Sequence, residues 1–179
     1  WNTDDEATPK TWAGQQELHK IARAAQDALS DIGELDLATL LDFSCVLREP
    51  KEYRKEKSGH KAVEPFYFDA RRFAHRLDVG FSLDALKDDL ELETAAHPAV
   101  ELLSLIALQR FRPAPVSEQK RTYEYWTWSW PLGVPVAAAV FSGASNIPGR
   151  QRYRFPLRFR DDQKRYKAFG PATLVGGEL

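Results

Sequence analysis

Apolar residues in the first part of the chain recur every three to four positions. Leu18, Ile21, Ala22, Ala25, Leu29 and Ile32 share one face at the i, i+3, i+4 spacing, which predicts a helix with Thr11 as a cap and Gly33 as its stop. A shorter helix is expected over residues 36–47, with Leu37, Leu40, Leu41 and Val46 inward. Residues 49–63 mix both signs of charge around Pro50 and Gly59 and read as a solvated, mobile loop. The run PFYFD (residues 65–69) predicts a short strand leading into a turn or helix through Arg71, Arg72 and His75. Gly80 breaks that run, and Ser82 caps a further helix to about Leu92. Over residues 98–111 the expected helix has His97 at its cap and Pro98 at its first position. It is apolar almost all round, with Glu101, Ser104, Gln109 and Arg110 left to face water. Leu103 and Ile106 should therefore be fully buried.

Past Pro113 and Pro115 the texture changes to strand: TYEYWTWSW, PVAAAVF, RYRFPLRFR and KAFGPATLV. Helices first and strands second predict an α+β fold, with a mainly helical part over residues 1–113 packed on an antiparallel part over 114–179. Within 149–160, Arg150, Arg152, Arg154, Arg158 and Arg160 are all in phase, alternating with Tyr153, Phe155, Leu157 and Phe159. A period of two puts the guanidiniums on one face of a strand and the apolar side chains on the other. Pro156 removes a ladder donor from that strand and predicts a sheet edge or a bulge.

Two strand residues advance about 6.7 Å, and two nucleotides of a duplex about 6.8 Å. A nucleic-acid backbone alongside could meet successive guanidiniums, whose forked donors suit phosphate. Lys164, Arg165 and Lys167 extend the positive region. A wet outer face on an ordinary half-buried strand gives the same pattern, and Glu124, Asp161 and Asp162 are available to pair with it.

In residues 123–130, Glu124, Trp126, Trp128 and Trp130 share one strand face, and Tyr123, Tyr125, Thr127 and Ser129 the other. The tryptophans are expected to bury against the 98–111 helix, which leaves Tyr123 and Tyr125 as candidate stacking partners for bases. Arg71, Arg72 and Arg76 form a smaller basic cluster that reads as solvated charge.

Charge sharpens this picture. The 179 residues carry a net charge of −1, yet residues 1–49 hold 4 Lys/Arg against 10 Asp/Glu, and residues 121–179 hold 9 against 4. A bipolar chain of this kind points its basic half at an anionic partner. A hydrophobic share of 43% excludes a disordered chain. No apolar run is long enough to cross a membrane, and no signal-peptide pattern is legible. The single Cys45 fits a reducing, cytoplasmic compartment. The absence of methionine and the start at Trp1 point to an excerpt of a longer chain.

Catalytic patterns are thin. His19, His60, His75 and His97 have no metal-ligand spacing, and there is no GxSxG elbow, P-loop or Rossmann glycine pattern. Cys45 lies among apolar and acidic residues, which disfavours a thiolate. Asp162 and Lys164 match the D-x-K half of a metal-dependent nuclease core, for which Glu124 is the available second acid. No cofactor is implied.

The segments KTWAGQQ (10–16), FYFDARRFAHRLDVGFSLDA (66–85), AVELLSLIALQRFRP (99–113), YWTWSWPL (125–132) and RYRFPLRFRDDQKRYKAFG (152–170) together resemble a family of CRISPR-associated proteins. That family is the large-subunit-like component of the type I-U (I-G) Cascade surveillance complex, and the match would fall in the later part of a longer member. The resemblance implies a non-catalytic subunit of an RNA-guided assembly defending a prokaryote against foreign DNA. Its expected partners are CRISPR RNA, target DNA, other Cascade subunits and a recruited helicase–nuclease that does the cleavage. The alternatives are a structural docking module without nucleic-acid contact, and the nuclease using Asp162 and Lys164.

Overall fold

The computed structural model describes residues 17–34, 36–53, 61–72, 93–159 and 167–176. Helix α1 (Leu18–Ser30) buries Ile21, Ala24 and Ala25 on one stripe, with Leu18, Ala22 and Ala28 packed at its margins. The Asp36 carboxylate caps helix α2 (Leu37–Asp42), accepting from the Ala38 and Thr39 N–H groups at 3.0 and 3.1 Å. That helix is shorter than expected. Strand β1 (Cys45–Val46) follows and pairs with β2 (Ala95–Ala96), while Leu37 is exposed rather than inward. The base of the 49–63 loop is anchored: Glu49 N–H donates to Lys61 O at 2.9 Å and Val63 N–H to Leu47 O at 2.8 Å. Its tip, residues 54–60, lies outside the described residues, as do Thr11, Gly80 and the helix expected after Ser82.

The expected strand at 65–69 does not form. All five residues are buried, but Tyr67 takes a φ of +61°, in the left-handed region that breaks a strand. The kink lets Tyr67 C=O accept from Phe169 N–H at 3.1 Å, while Phe68 and Asp69 turn their N–H groups toward helix α3 (Pro98–Ala107).

Helix α3 corrects a second expectation. Its buried residues are Pro98, Ala99 and Glu101, followed by Leu108 just past its end, whereas Leu103 is 52% and Ile106 66% exposed. The stripe through Pro98, Glu101, Leu105 and Leu108 faces inward, and α1 packs on this helix. The apolar excess on its other side remains at the surface. Leu103→Ala should accordingly shift stability by no more than about 0.5 kcal/mol in a urea titration, as a surface change does. A loss above about 2 kcal/mol would return Leu103 to a core.

The PVAAAVF run is helix α4 (Val134–Phe141), not a strand. Pro135 in the first turn and three consecutive alanines outweigh the β-branched valines. The remaining strands build one antiparallel sheet in the order β3 (Ala114–Pro115), β4 (Thr122–Thr127), β5 (Gln151–Phe159), β6 (Lys167–Phe169), with β7 (Thr173–Leu174) also paired to β5. Strand β5 is therefore central, against the edge position that Pro156 suggested. Pro156 C=O accepts from Gly170 N–H at 2.8 Å, so the side of this proline that lacks an N–H faces the turn between β6 and β7. No ladder donor is needed there.

The fold is α+β, with N-terminal helices packed on a C-terminal antiparallel sheet. Phe169 joins the halves. Its ring lies 5.2 Å from Phe68 in the helical core and 5.0 Å from Phe155 in the sheet core. No helix among the described residues is long and apolar enough to cross a membrane.

Candidate nucleic-acid interface

The β4–β5 register sorts side chains by face. Tyr123 opposes Phe155 and Tyr125 opposes Tyr153 on the inner face; Glu124 opposes Arg154 and Trp126 opposes Arg152 on the outer one. The inner face carries the aromatic core. Tyr123 is 1% exposed and stacks on Phe155 at 5.7 Å, so it is no partner for a base, contrary to expectation. Tyr125 is half-buried between Phe141 and Tyr153, at 5.2 and 5.6 Å, and burial followed by the Tyr153 phenol pushes its hydroxyl pKa up. Trp126, expected against α3, lies instead on the arginine side, opposite Arg152. Behind the inner face, Phe68, Phe111, Tyr125, Phe141, Phe155 and Phe169 line an open apolar cleft of about 320 Å³.

On the outer face the arginines differ. Arg154 donates from Nε to Glu124 at 2.8 Å and from its terminal nitrogen at 2.5 Å, so this charge is offset in place. Arg152, with 43% of its side chain exposed, sits 4.0 Å from the same carboxylate, at the limit of an ion pair. Arg158 is exposed. Arg150 donates to Ser145 O at 2.9 Å and lies 5.2 Å over the Trp126 ring, a cation–π contact that holds the guanidinium against the sheet. Lys167, expected to extend the arginine row, instead opposes Phe159 across the β5–β6 ladder and so belongs to the other face, with its ammonium 5.7 Å from that ring; Arg121 approaches the same ring at 4.7 Å. Arg160, Lys164 and Arg165 lie outside the described residues, together with Asp161 and Asp162. Glu124, the second acid of the nuclease alternative, is engaged by Arg154.

A second charged cluster went unread in the sequence. Glu101 is fully buried in the first turn of α3, and its two oxygens accept from Phe68 N–H at 3.4 Å and Asp69 N–H at 3.3 Å. Burial raises its pKa to about 7, against the pull of those two donors. Asp69 beside it contacts His97 Nδ1 at 2.7 Å and accepts from Arg71 Nε at 3.0 Å. Burial pushes the Asp69 carboxyl up, but the Arg71 hydrogen bonds and charge, with His97, hold it below its ordinary value. Arg71 reaches on to Asp42 at 2.7 Å and to Leu41 O at 3.0 Å, so it ties its own segment to the end of α2 and is not merely a solvated charge. The available signal was the position of Glu101 on the stripe of Pro98, Leu105 and Leu108. Burial alone raises the Cys45 thiol pKa, which keeps it protonated. Among the described residues no His, Cys, Asp and Glu side chains are grouped to hold a metal ion.

Comparison with protein-family models, with curated proteins and with solved structures returns no match.

Proposed function

We propose that the chain is a non-catalytic nucleic-acid-binding subunit of a CRISPR Cascade-type surveillance complex, acting in the cytoplasm, and that the outer face of β5 holds a DNA or RNA backbone. The observation that carries the binding reading is the row of Arg152, Arg154 and Arg158 on the outer face of β5, whose other face is core, with Arg150 immediately before it. The Cascade assignment rests on the resemblance of the segments quoted above. Sequence would be read by the guide RNA, and this face would position phosphates without reading bases. The exposed Leu103 and Ile106 on α3 and Val134 and Val136 on α4 support contacts with neighbouring subunits of such an assembly.

The test uses Arg152→Gln/Arg158→Gln, which spares the Arg154–Glu124 pair. Affinity for unrelated sequences should fall together, and the log–log salt slope on a single strand should become shallower by about 1.4. An unchanged slope would leave the face merely solvated and favour the docking-module alternative.

A further inference from the structure

The strand pairing brings Trp126 to the same side as the arginines, opposite Arg152 across the ladder. Trp126 itself is occupied. A Cβ at Gly143, where φ is +78°, would stand 2.5 Å from its ring, and Arg150 covers it at 5.2 Å. Trp130 is different. It lies beyond the end of the ladder and is 40% exposed, with the edge of its ring resting on Gly149, where φ is +69° and a Cβ would be 3.3 Å away. Gly149 adjoins Arg150 at the entrance to β5. The exposed indole therefore stands beside the end of β5 at which the row of arginines begins.

We propose that the ligand of this face is single-stranded, with an unpaired base stacked on Trp130 and its backbone running along Arg150, Arg152 and Arg158. The inference rests on the nucleic-acid reading and narrows it. A duplex keeps its bases paired inside and offers an exposed indole nothing; a single strand offers a π-face at each nucleotide. The phosphate charge complements the arginines. Strand β5 spans about 26 Å at about 3.3 Å per residue, enough for the lower end of the roughly 4–16 nucleotides such grooves hold. The Trp126 ring and Ser145 O hold the Arg150 guanidinium in place, one residue on from the glycine that carries the Trp130 ring.

The experiment measures anisotropy of three labelled probes of one length: oligothymidylate, an abasic strand with the same phosphates, and a duplex. Trp130→Ala should weaken oligothymidylate binding about tenfold, the scale of one base–aromatic stack. Binding of the abasic strand and the duplex should be unchanged, and Trp130→Phe should restore most of the loss. Should Trp130→Ala disturb the fold, Trp130→Leu fills the space without an aromatic face and must show the same selective loss. If oligothymidylate binding is unchanged, or all three probes weaken equally, the stacking inference is overturned, while an arginine-dependent salt slope keeps the nucleic-acid reading. Wild-type protein that binds none of the three overturns both.

Discussion

Glu101→Ala should be less stable than the parent by about 3–5 kcal/mol at pH 5, and the gap should narrow on passing to pH 8. The substitution leaves a cavity in a packed region, and it strips the Phe68 and Asp69 N–H groups of their acceptor. The narrowing follows from linkage. With a folded pKa of about 7 against an ordinary 4.5, the folded protein holds the Glu101 proton where the unfolded chain releases it. Stability from this group is complete below about pH 4.5 and is lost as pH rises to about 7, a change on the order of 3 kcal/mol. Alanine cannot titrate, so the parent loses this advantage alone. Asp69 acts in the opposite sense and in a lower window. Its depressed pKa contributes stability that disappears as pH falls below the ordinary carboxylate value. Arg71, Asp42 and His97 are present in both proteins, so comparing the two urea curves isolates Glu101. An equal gap at pH 5 and pH 8 would mean that Glu101 is ionised throughout, and the account of a neutral buried carboxyl would be wrong.

Phe155→Ala should cost about 3–5 kcal/mol, the range for emptying an aromatic site in a core. Phe155 is stacked on Tyr123 at 5.7 Å, tilted over Phe169 at 5.0 Å and near Tyr125 at 6.0 Å. It also lines the apolar cleft, so truncation enlarges an existing space and strips contacts from the rings around it. The contrast with Leu103→Ala matters: both remove a large apolar side chain, yet only one leaves the sheet core. A loss below about 1 kcal/mol would show that the aromatic cluster is not what holds β4 and β5 to Phe169.

What the sequence disclosed depends on whether a pattern survives without its neighbours. The arginine alternation along β5 does, because a period of two belongs to the strand alone, and the in and out faces came through. The buried stripe of α3 does not. A helix apolar on every side has no preferred face until α1 and residues 65–69 choose one, so its sequence favours Leu103 and Ile106 inside and Glu101 outside, the reverse of what the packing selects. The run at α4 is short and apolar, and such a run fits strand or helix equally. At the candidate interface, the positive row was legible but the Arg154–Glu124 pair was not, because it depends on the β4–β5 register. The bulk of Trp126 suggests burial, but the pairing of Tyr123 with Phe155 and Tyr125 with Tyr153 puts it on the opposite face.

The route of the chain between the two long strands bears on how the protein folds. Strand β4 ends at Thr127 and β5 begins at Gln151, with α4 formed in between, so no tight turn exists from which the ladder could zip. Each rung must await closure of a long connection, whose entropy is lost before any pairing is gained. An eight-residue helix is too short to persist alone. Neither α4 nor the hairpin can therefore wait for the other. Far-ultraviolet signals from helix and sheet should appear in a single slow phase after dilution from denaturant, as expected of a topology dominated by distant pairings.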